Sequence, residues 1–262
     1  MQGIQTRLRR ATAALAASVA LGVASSPAAA ELDVRLYKEL LGEYTRTTSS
    51  TVGTQVDYAG LGRNPRWLQL LQGLEGSIPP ATGRARLAFW INAYNLLAIR
   101  TVVEHYPIES IRDVGSFFSP VWKREAGRID GKPVTLDQIE HQILRKLGEP
   151  RIHAAIVCAS TSCPSLAREP YTAEGLEEQL QASTQRWLDD STKGLRIERG
   201  RGRVWLSSIF DWFSTDFQAA GGALAFASRY VSAEDRAWIR AHDPQIDHFD
   251  YDWSLNDWTR SQ

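Results

Sequence analysis

Cys158 and Cys163 are the only cysteines in a chain of 262 residues. They stand together in the stretch RIHAAIVCASTSCPSL at 151–166, with four residues between them. Two thiols so close admit four chemistries. They can form a disulfide or exchange pair, supply a catalytic thiolate, hold zinc together with a histidine, or pack as small buried hydrophobes. The spacing is not the two-residue spacing of thioredoxin-like motifs. A bridge closing so small a loop would add roughly 2 kcal/mol in the chain-entropy account. The typical second ligand pair of a zinc site is absent.

The neighbours make the pair unequal. Pro164 follows Cys163, and proline favours the first helical position, so Cys163 reads as the N-cap of a short helical turn. A thiol at a positive helix end is acidified. Ser160 and Ser162 add hydroxyls beside it. The run from Ile152 to Cys158 is apolar and β-branched enough to predict a buried strand. In a regular strand His153 and Cys158 would point to opposite faces. The reading therefore assigns the nucleophile to Cys163 and a structural or resolving role to Cys158. His141 or His153 would serve as its base, and Glu140, Asn92 or Asn95 as the orienting group.

Those helpers must be delivered by other elements. The strongest predicted helix runs from about Ala85 to His105 and is apolar almost all the way round. At 100° per residue Asn92 and Asn95 fall near roughly 140° and 80°, against roughly 220° and 260° for Arg100 and Glu104. Both asparagines therefore face inward. There they either tie down a neighbouring loop or serve the site. The segment TLDQIEHQILRKLG predicts a second helix, with a capping box between Thr135 and Gln138 and a stop at Gly148 and Pro150. Glu140 falls in the middle of its apolar stripe of Leu136, Ile139, Ile143, Leu144 and Leu147, and His141 lies at the flank. A carboxylate in that position is paired internally, fixes a histidine tautomer, or acts as a base.

The remaining pattern predicts a helix over 31–44, a loop over 45–54 and an ambiguous piece at 56–61. A helix follows over 65–74, and a hairpin over 127–135 turns at Asp130-Gly131. A helix after Thr172, a second hairpin around Gly200 and Gly202, and a mainly helical stretch over 210–257 complete it. Asp252 and Asn256 read as clamps for the C-terminus. The sum is an α+β fold, a helix-rich single domain with a small, mainly antiparallel sheet. A cysteine opening a helix invites an analogy with papain-like and transglutaminase-like folds.

The N-terminus reads as a secretion signal over residues 1–30. It has a basic region at Arg7, Arg9 and Arg10, an apolar run from Ala11 to about Ala24, and small residues at Ala28 and Ala30. The apolar run is short for a membrane span. The expectation is a periplasmic or secreted protein without a membrane anchor, with a helix and loop over 31–55 and one globular domain over 56–257. Lysine plus arginine and aspartate plus glutamate number 30 each. Removing the three leader arginines leaves a charge of about −3, which argues against a nucleic-acid partner. No Gly-rich phosphate loop is present. No cofactor and no metal are expected, and the partner is a peptide or small-molecule substrate.

The segments FWINAYNLL at 89–97, IEHQILR at 139–145, RIHAAIVCASTSCPSL at 151–166, SSIFDWFSTDF at 207–217 and YDWSLN at 251–256 resemble, in this order, the family called "domain of unknown function 547". The resemblance runs from about VDYAGL at 56 to Asn256. It implies a shared site over Asn92, Asn95, Glu140, His141, His153, Cys158, Cys163 and Pro164. Ala155 departs from the bulkier apolar residue usual there. The resemblance names no activity, and the coiled-coil extension of the plant members is absent.

The residues themselves point first to a thiol-dependent hydrolase or acyltransferase acting on peptide-like amides. The alternatives are a disulfide-closed binding domain, with a cleft lined by aromatics such as Trp90, Tyr94, Trp212 and Trp253, and a thiol–disulfide exchange protein.

Overall fold

The computed structural model describes residues 31–260; the expected signal peptide lies outside them. The chain begins with α1 (Val34–Tyr44), capped by the Asp33 carboxylate, and its apolar face of Leu36, Tyr37, Leu40 and Leu41 is buried. The stretch expected as a loop instead holds a short antiparallel pair, β1 (Thr45–Thr47) and β2 (Thr54–Val56). The ambiguous piece becomes α2 (Tyr58–Arg63), because the Asp57 side chain accepts from the Gly60 N–H and caps it. Next come α3 (Pro65–Gly76), opened by a proline at its first position, and the long α4 (Gly83–His105). Along α4, Asn92 and Asn95 are buried while Glu104 is exposed, as the helical phase requires.

Strands β3 (Glu125–Ile129) and β4 (Lys132–Thr135) form the first hairpin. Its two-residue turn needs positive φ at both positions, and Asp130 and Gly131 adopt 52° and 66°. The helix that follows has the expected capping box. The Thr135 N–H donates to Gln138 Oε1, and the Gln138 N–H donates to Thr135 Oγ1. Its interior differs from expectation, because Gln138–Leu144 is wound as a π-helix before a tight turn over Arg145–Leu147. The fully buried residues are therefore Leu136, Ile139 and Leu144, spaced three and then five apart, and Leu147 is turned out to solvent. Such wide turns inside helices occur mostly at functional sites.

The strand expected over 152–158 does not form. Pro150–Ala154 is a single 3-10 turn, started by Pro150 and the Glu149 carboxylate, and the chain then runs irregularly through the cysteines. Helix α5 (Leu176–Leu188) precedes the second hairpin, β5 (Leu195–Glu198) and β6 (Arg203–Leu206). Short helices α6 (Ser208–Trp212) and α7 (Ala223–Ala227) lead to α8 (Ala233–His242). Strand β7 (Gln245–His248) was read as part of a helical stretch. It pairs parallel to β6, making this small sheet mixed. The whole is α+β and helix-rich, with its antiparallel pairing confined to short hairpins.

Two apolar clusters fill the interior. The larger joins α1, α3 and α4 to Ile139, Leu144 and the loop residues Ile156, Val157, Ala159 and Cys163. The smaller gathers Trp187, Val204, Leu206, Phe210, Phe217 and Phe226. Ala154 belongs to the smaller cluster and Ala155 to the larger, so the cysteine-bearing segment crosses between them. No helix among the described residues is long and apolar enough to cross a membrane.

Candidate active site

The cysteine loop owes its position to four buried clamps. Asn95 donates to the Ala155 carbonyl at 2.9 Å and accepts from the Val157 N–H at 2.9 Å. Asn92 holds Tyr171 in the same double fashion, donating to its carbonyl at 2.7 Å and accepting from its N–H at 2.9 Å. Both inward amides are thus spent on backbone, and neither reaches a sulfur. The C-terminal segment supplies the third clamp. Thr161 N–H donates to the Ser254 carbonyl, Ser162 N–H to the Asp252 carbonyl, and Asn256 N–H to the Ala159 carbonyl. Lys193 is the fourth. It is 2 % exposed and donates to the carbonyls of Val52, Thr161 and Cys163 at 3.1, 3.2 and 2.7 Å. Burial lowers its pKa, and the neighbouring thiols oppose that by favouring the cation.

Held in this way, Ala159 takes φ 59°, a left-handed conformation that a residue with a Cβ adopts at a cost. The kink turns Cys158 out of the core and leaves Cys163 in it. Cys158 is partly exposed and Cys163 is 4 % exposed. No helix begins at Cys163, since the residues after Pro164 are irregular. The expected acidification by a helix end therefore has no structural basis here, and the papain-like analogy loses the feature on which it rested.

The sulfurs lie 3.3 Å apart and are not bonded. Around Cys158 Sγ stand Ser160 Oγ at 3.0 Å and the Tyr251 hydroxyl at 3.2 Å. The hydrogen bond shared with Cys163, assisted by those with Ser160 and Tyr251, lowers the Cys158 pKa to about 7 against the opposing effect of burial. Cys163 moves the other way. Burial raises its pKa, and a charged neighbouring sulfur raises it further. The Cys158 N–H donates to Cys163 Sγ at 3.1 Å and fixes it in place. Cys158 is thus the more exposed of the two thiols and the one whose pKa is lowered, whereas Cys163 is enclosed.

Cys158 opens into a cleft of about 230 Å³. Tyr94, Glu140, His141, His153 and the two cysteines line it, together with the aromatic rings of Trp212, Tyr251 and Trp253. Of the four aromatics named as cleft candidates, Tyr94, Trp212 and Trp253 line it, whereas Trp90 is 6 % exposed in the core. Glu140 accepts from the Tyr94 hydroxyl at 3.1 Å. Burial raises its pKa to about 7, Tyr94 pulls it down, and the charge at Cys158 pushes it up again. The π-turn accounts for this placement. Glu140 lies within it and lines the cleft.

The histidines are tied to a charged pair rather than to the thiols. His153 is 2 % exposed, and its Nε2 lies 2.8 Å from Asp216 Oδ2. Asp216 also takes a two-pronged bond from Arg145, at 2.6 and 2.7 Å. Burial lowers the His153 pKa while Asp216 opposes it, and the Asp216 carboxyl is held far below the usual range by His153 and Arg145. Arg145 Nη1 stands 2.7 Å from His141 Nδ1. Arginine can only donate, so Nδ1 is the acceptor and the His141 proton sits on Nε2. Neither histidine hydrogen-bonds a sulfur, so the expected cysteine–histidine pair is not assembled. Among the described residues no three His, Cys, Asp or Glu side chains are grouped to hold a metal ion.

Four participants were missed by the sequence reading: Tyr251, Asp216, Arg145 and Lys193. Tyr251, Asp216 and Arg145 lie inside three of the motifs that carried the family resemblance, which was the available signal. Lys193, in the stretch STKGLRIE, had none.

The geometry defines an α+β protein with a paired-thiol cleft. Residues 80–188 match the family described as "Protein of unknown function, DUF547", the family its motifs resemble. The match includes both asparagines, Glu140, both candidate histidines and both cysteines, while Asp216 and Tyr251 lie beyond it. No curated protein and no solved structure matches.

Proposed function

We propose that the protein is a thiol-dependent acyl-transfer enzyme, a hydrolase or acyltransferase acting on peptide-like amides, with Cys158 as the nucleophile. One observation carries this reading: a partly exposed sulfur, surrounded by hydrogen-bonding groups, opens into a cleft that also holds a half-buried carboxyl. The Cys158 thiolate attacks the amide carbonyl and forms a C–S bond. The protonated Glu140 carboxyl gives its proton to the departing amine as the C–N bond breaks. The resulting carboxylate then takes a proton from water or an acceptor amine, which attacks the thioester and releases Cys158. Tyr94 orients Glu140, and Cys163 holds the Cys158 charge. The reaction needs Cys158 ionised and Glu140 protonated, so its rate is expected to be bell-shaped with pH and centred near 7.

The test is the rate of iodoacetamide labelling from pH 5 to 9, with the modified cysteine located by mass spectrometry. Reduced protein should label at Cys158, and at pH 6 about fivefold faster than a free thiol. The larger thiolate fraction outweighs the lower intrinsic nucleophilicity. The Cys163→Ala variant should lose most of that advantage. Labelling at Cys163 first, or at the free-thiol rate, sinks the proposal.

The 3.3 Å sulfur separation favours a second reading, thiol–disulfide exchange, with Cys158 attacking and Cys163 resolving. A reduction potential above about −300 mV supports exchange, and one below it indicates a structural bridge.

A further inference from the structure

The aromatic side of the cleft does not end at the cleft. Trp122 and Trp253 line it and also line a second groove of about 740 Å³, walled by Arg112, Ser116, Phe117 and Pro120. From Cys158 the surface steps 3.2 Å to the Tyr251 hydroxyl. It continues 4.5 Å between the Tyr251 and Trp253 rings, and 6.1 Å between Trp253 and Trp122. Trp212 lies near-parallel to Trp253 at 5.7 Å, and the Arg112 guanidinium covers Trp253 at 5.1 Å. At the groove's edge Phe117 and Phe118 are 92 % and 94 % exposed, with their rings edge to face at 5.3 Å. Two adjacent phenylalanines left in water contribute nothing to the core and forgo the gain of burial, so they point to a binding role.

We propose that this groove is the outer part of the substrate site, and that the substrate is an extended polypeptide that lays an aromatic side chain between Phe117 and Trp122, about four residues from the group attacked by Cys158. The proposal rests on the reading of Cys158 as the reacting thiol and adds the substrate class. The path is too long for a single side chain, and an extended chain covers about 3.3–3.6 Å per residue. Flat rings with a cation at the rim suit aromatic side chains, which stack edge-on or offset and accept a guanidinium face. The groove is concave, with Ser110, Asp113 and Ser116 among its walls. That shape and polarity suit a peptide backbone better than a bilayer surface, which would ask for a convex apolar tip.

The test compares three alkylating probes on the reduced full chain: iodoacetamide, an iodoacetylated tetrapeptide amide ending in tryptophan, and its alanine-ending counterpart. The tryptophan probe should modify Cys158 at least tenfold faster than the alanine probe. In the doubly substituted F117S/F118S protein that ratio should fall at least threefold while the iodoacetamide rate stays unchanged. Both positions are almost wholly exposed, so the variant keeps the fold. Equal rates for the two peptides in the wild type overturn the proposal. So does a ratio that survives in the variant, or a variant whose sole loss is binding to vesicles of mixed neutral and anionic phospholipid. Failure of the iodoacetamide rate to exceed that of a free thiol refutes the Cys158 reading instead, and is read independently of the peptide ratio.

Discussion

Glu140 is the residue on which the proposed chemistry turns. Its carboxyl is raised to about 7 because it is half-buried in the cleft and largely withdrawn from water, while the hydrogen bond from the Tyr94 hydroxyl pulls the other way. A carboxyl raised in the folded state favours folding while it is protonated. That contribution is complete below its unfolded value near 4.5 and is lost as pH climbs through about 7. The wild type is therefore expected to lose on the order of 1–3 kcal/mol of stability between pH 4.5 and 7.5 relative to the Glu140→Gln protein. Paired urea titrations across that range measure the difference. A constant gap between the two proteins would show that Glu140 ionises as freely when folded as when unfolded. The sequence put Glu140 in the middle of a regular apolar stripe; the π-winding breaks that stripe, and Glu140 lines the cleft half-buried. The sequence did not reveal the partner, since Tyr94 belongs to another helix.

At the scale of elements, α4 and the π-turned helix act as jigs. The phase of α4 put Asn95 inward in the sequence reading, and the structure spends that amide on two backbone groups of the cysteine segment. Replacing it with alanine leaves a buried carbonyl and a buried N–H unpaired. Asn95→Ala should cost about 2–4 kcal/mol in chemical denaturation. Asn95→Asp should fare no better, because a carboxylate cannot donate to the Ala155 carbonyl. A cost within 0.5 kcal/mol, roughly the size of a neutral surface change, would remove the clamp from the account. The strand expected over 152–158 failed for a local reason. Its apolar composition suits any buried segment, and periodicity cannot separate a short buried strand from a buried turn. Pro150 and the Glu149 cap decide for the turn, and α4 rather than a neighbouring strand satisfies the backbone that follows.

Across the whole molecule, the C-terminal strap closes the site. Asn256 accepts from the Tyr58 hydroxyl at 2.5 Å and donates to the Thr54 carbonyl at 3.2 Å. Its backbone carbonyl takes the Val56 N–H, and its N–H reaches the Ala159 carbonyl. One residue therefore ties β2, α2 and the cysteine loop to the segment that carries Tyr251 and Trp253. Asn256→Ala should loosen these partners together. In native-state hydrogen exchange the amides of Val56, Thr161 and Ser162 should exchange at least tenfold faster, while those of α8 stay as they were. Independent responses at Val56 and Thr161 would show that the strap is not one unit. Asp252 and Asn256 were legible as clamps in YDWSLN, but not what they clamp.

The sequence by itself determined the α+β class, the long helix and its inward asparagines, the two hairpin turns, the capped helix bearing Glu140, and the stretch that holds the site. Each of these depends on residues within a few positions of one another: the phase of an apolar face, the φ that a glycine allows, a side chain three residues from its cap. The tertiary structure decided how the two thiols differ in exposure and in hydrogen bonding. The chain neighbours of Cys158 and Cys163 suggest a helix end at Cys163 that does not form, and the difference in space comes from Tyr251 and Ser160 beside one sulfur and the closed core around the other. Thiol acidity follows from hydrogen bonds and burial in space, and most of these donors and walls arrive from segments that no local pattern connects.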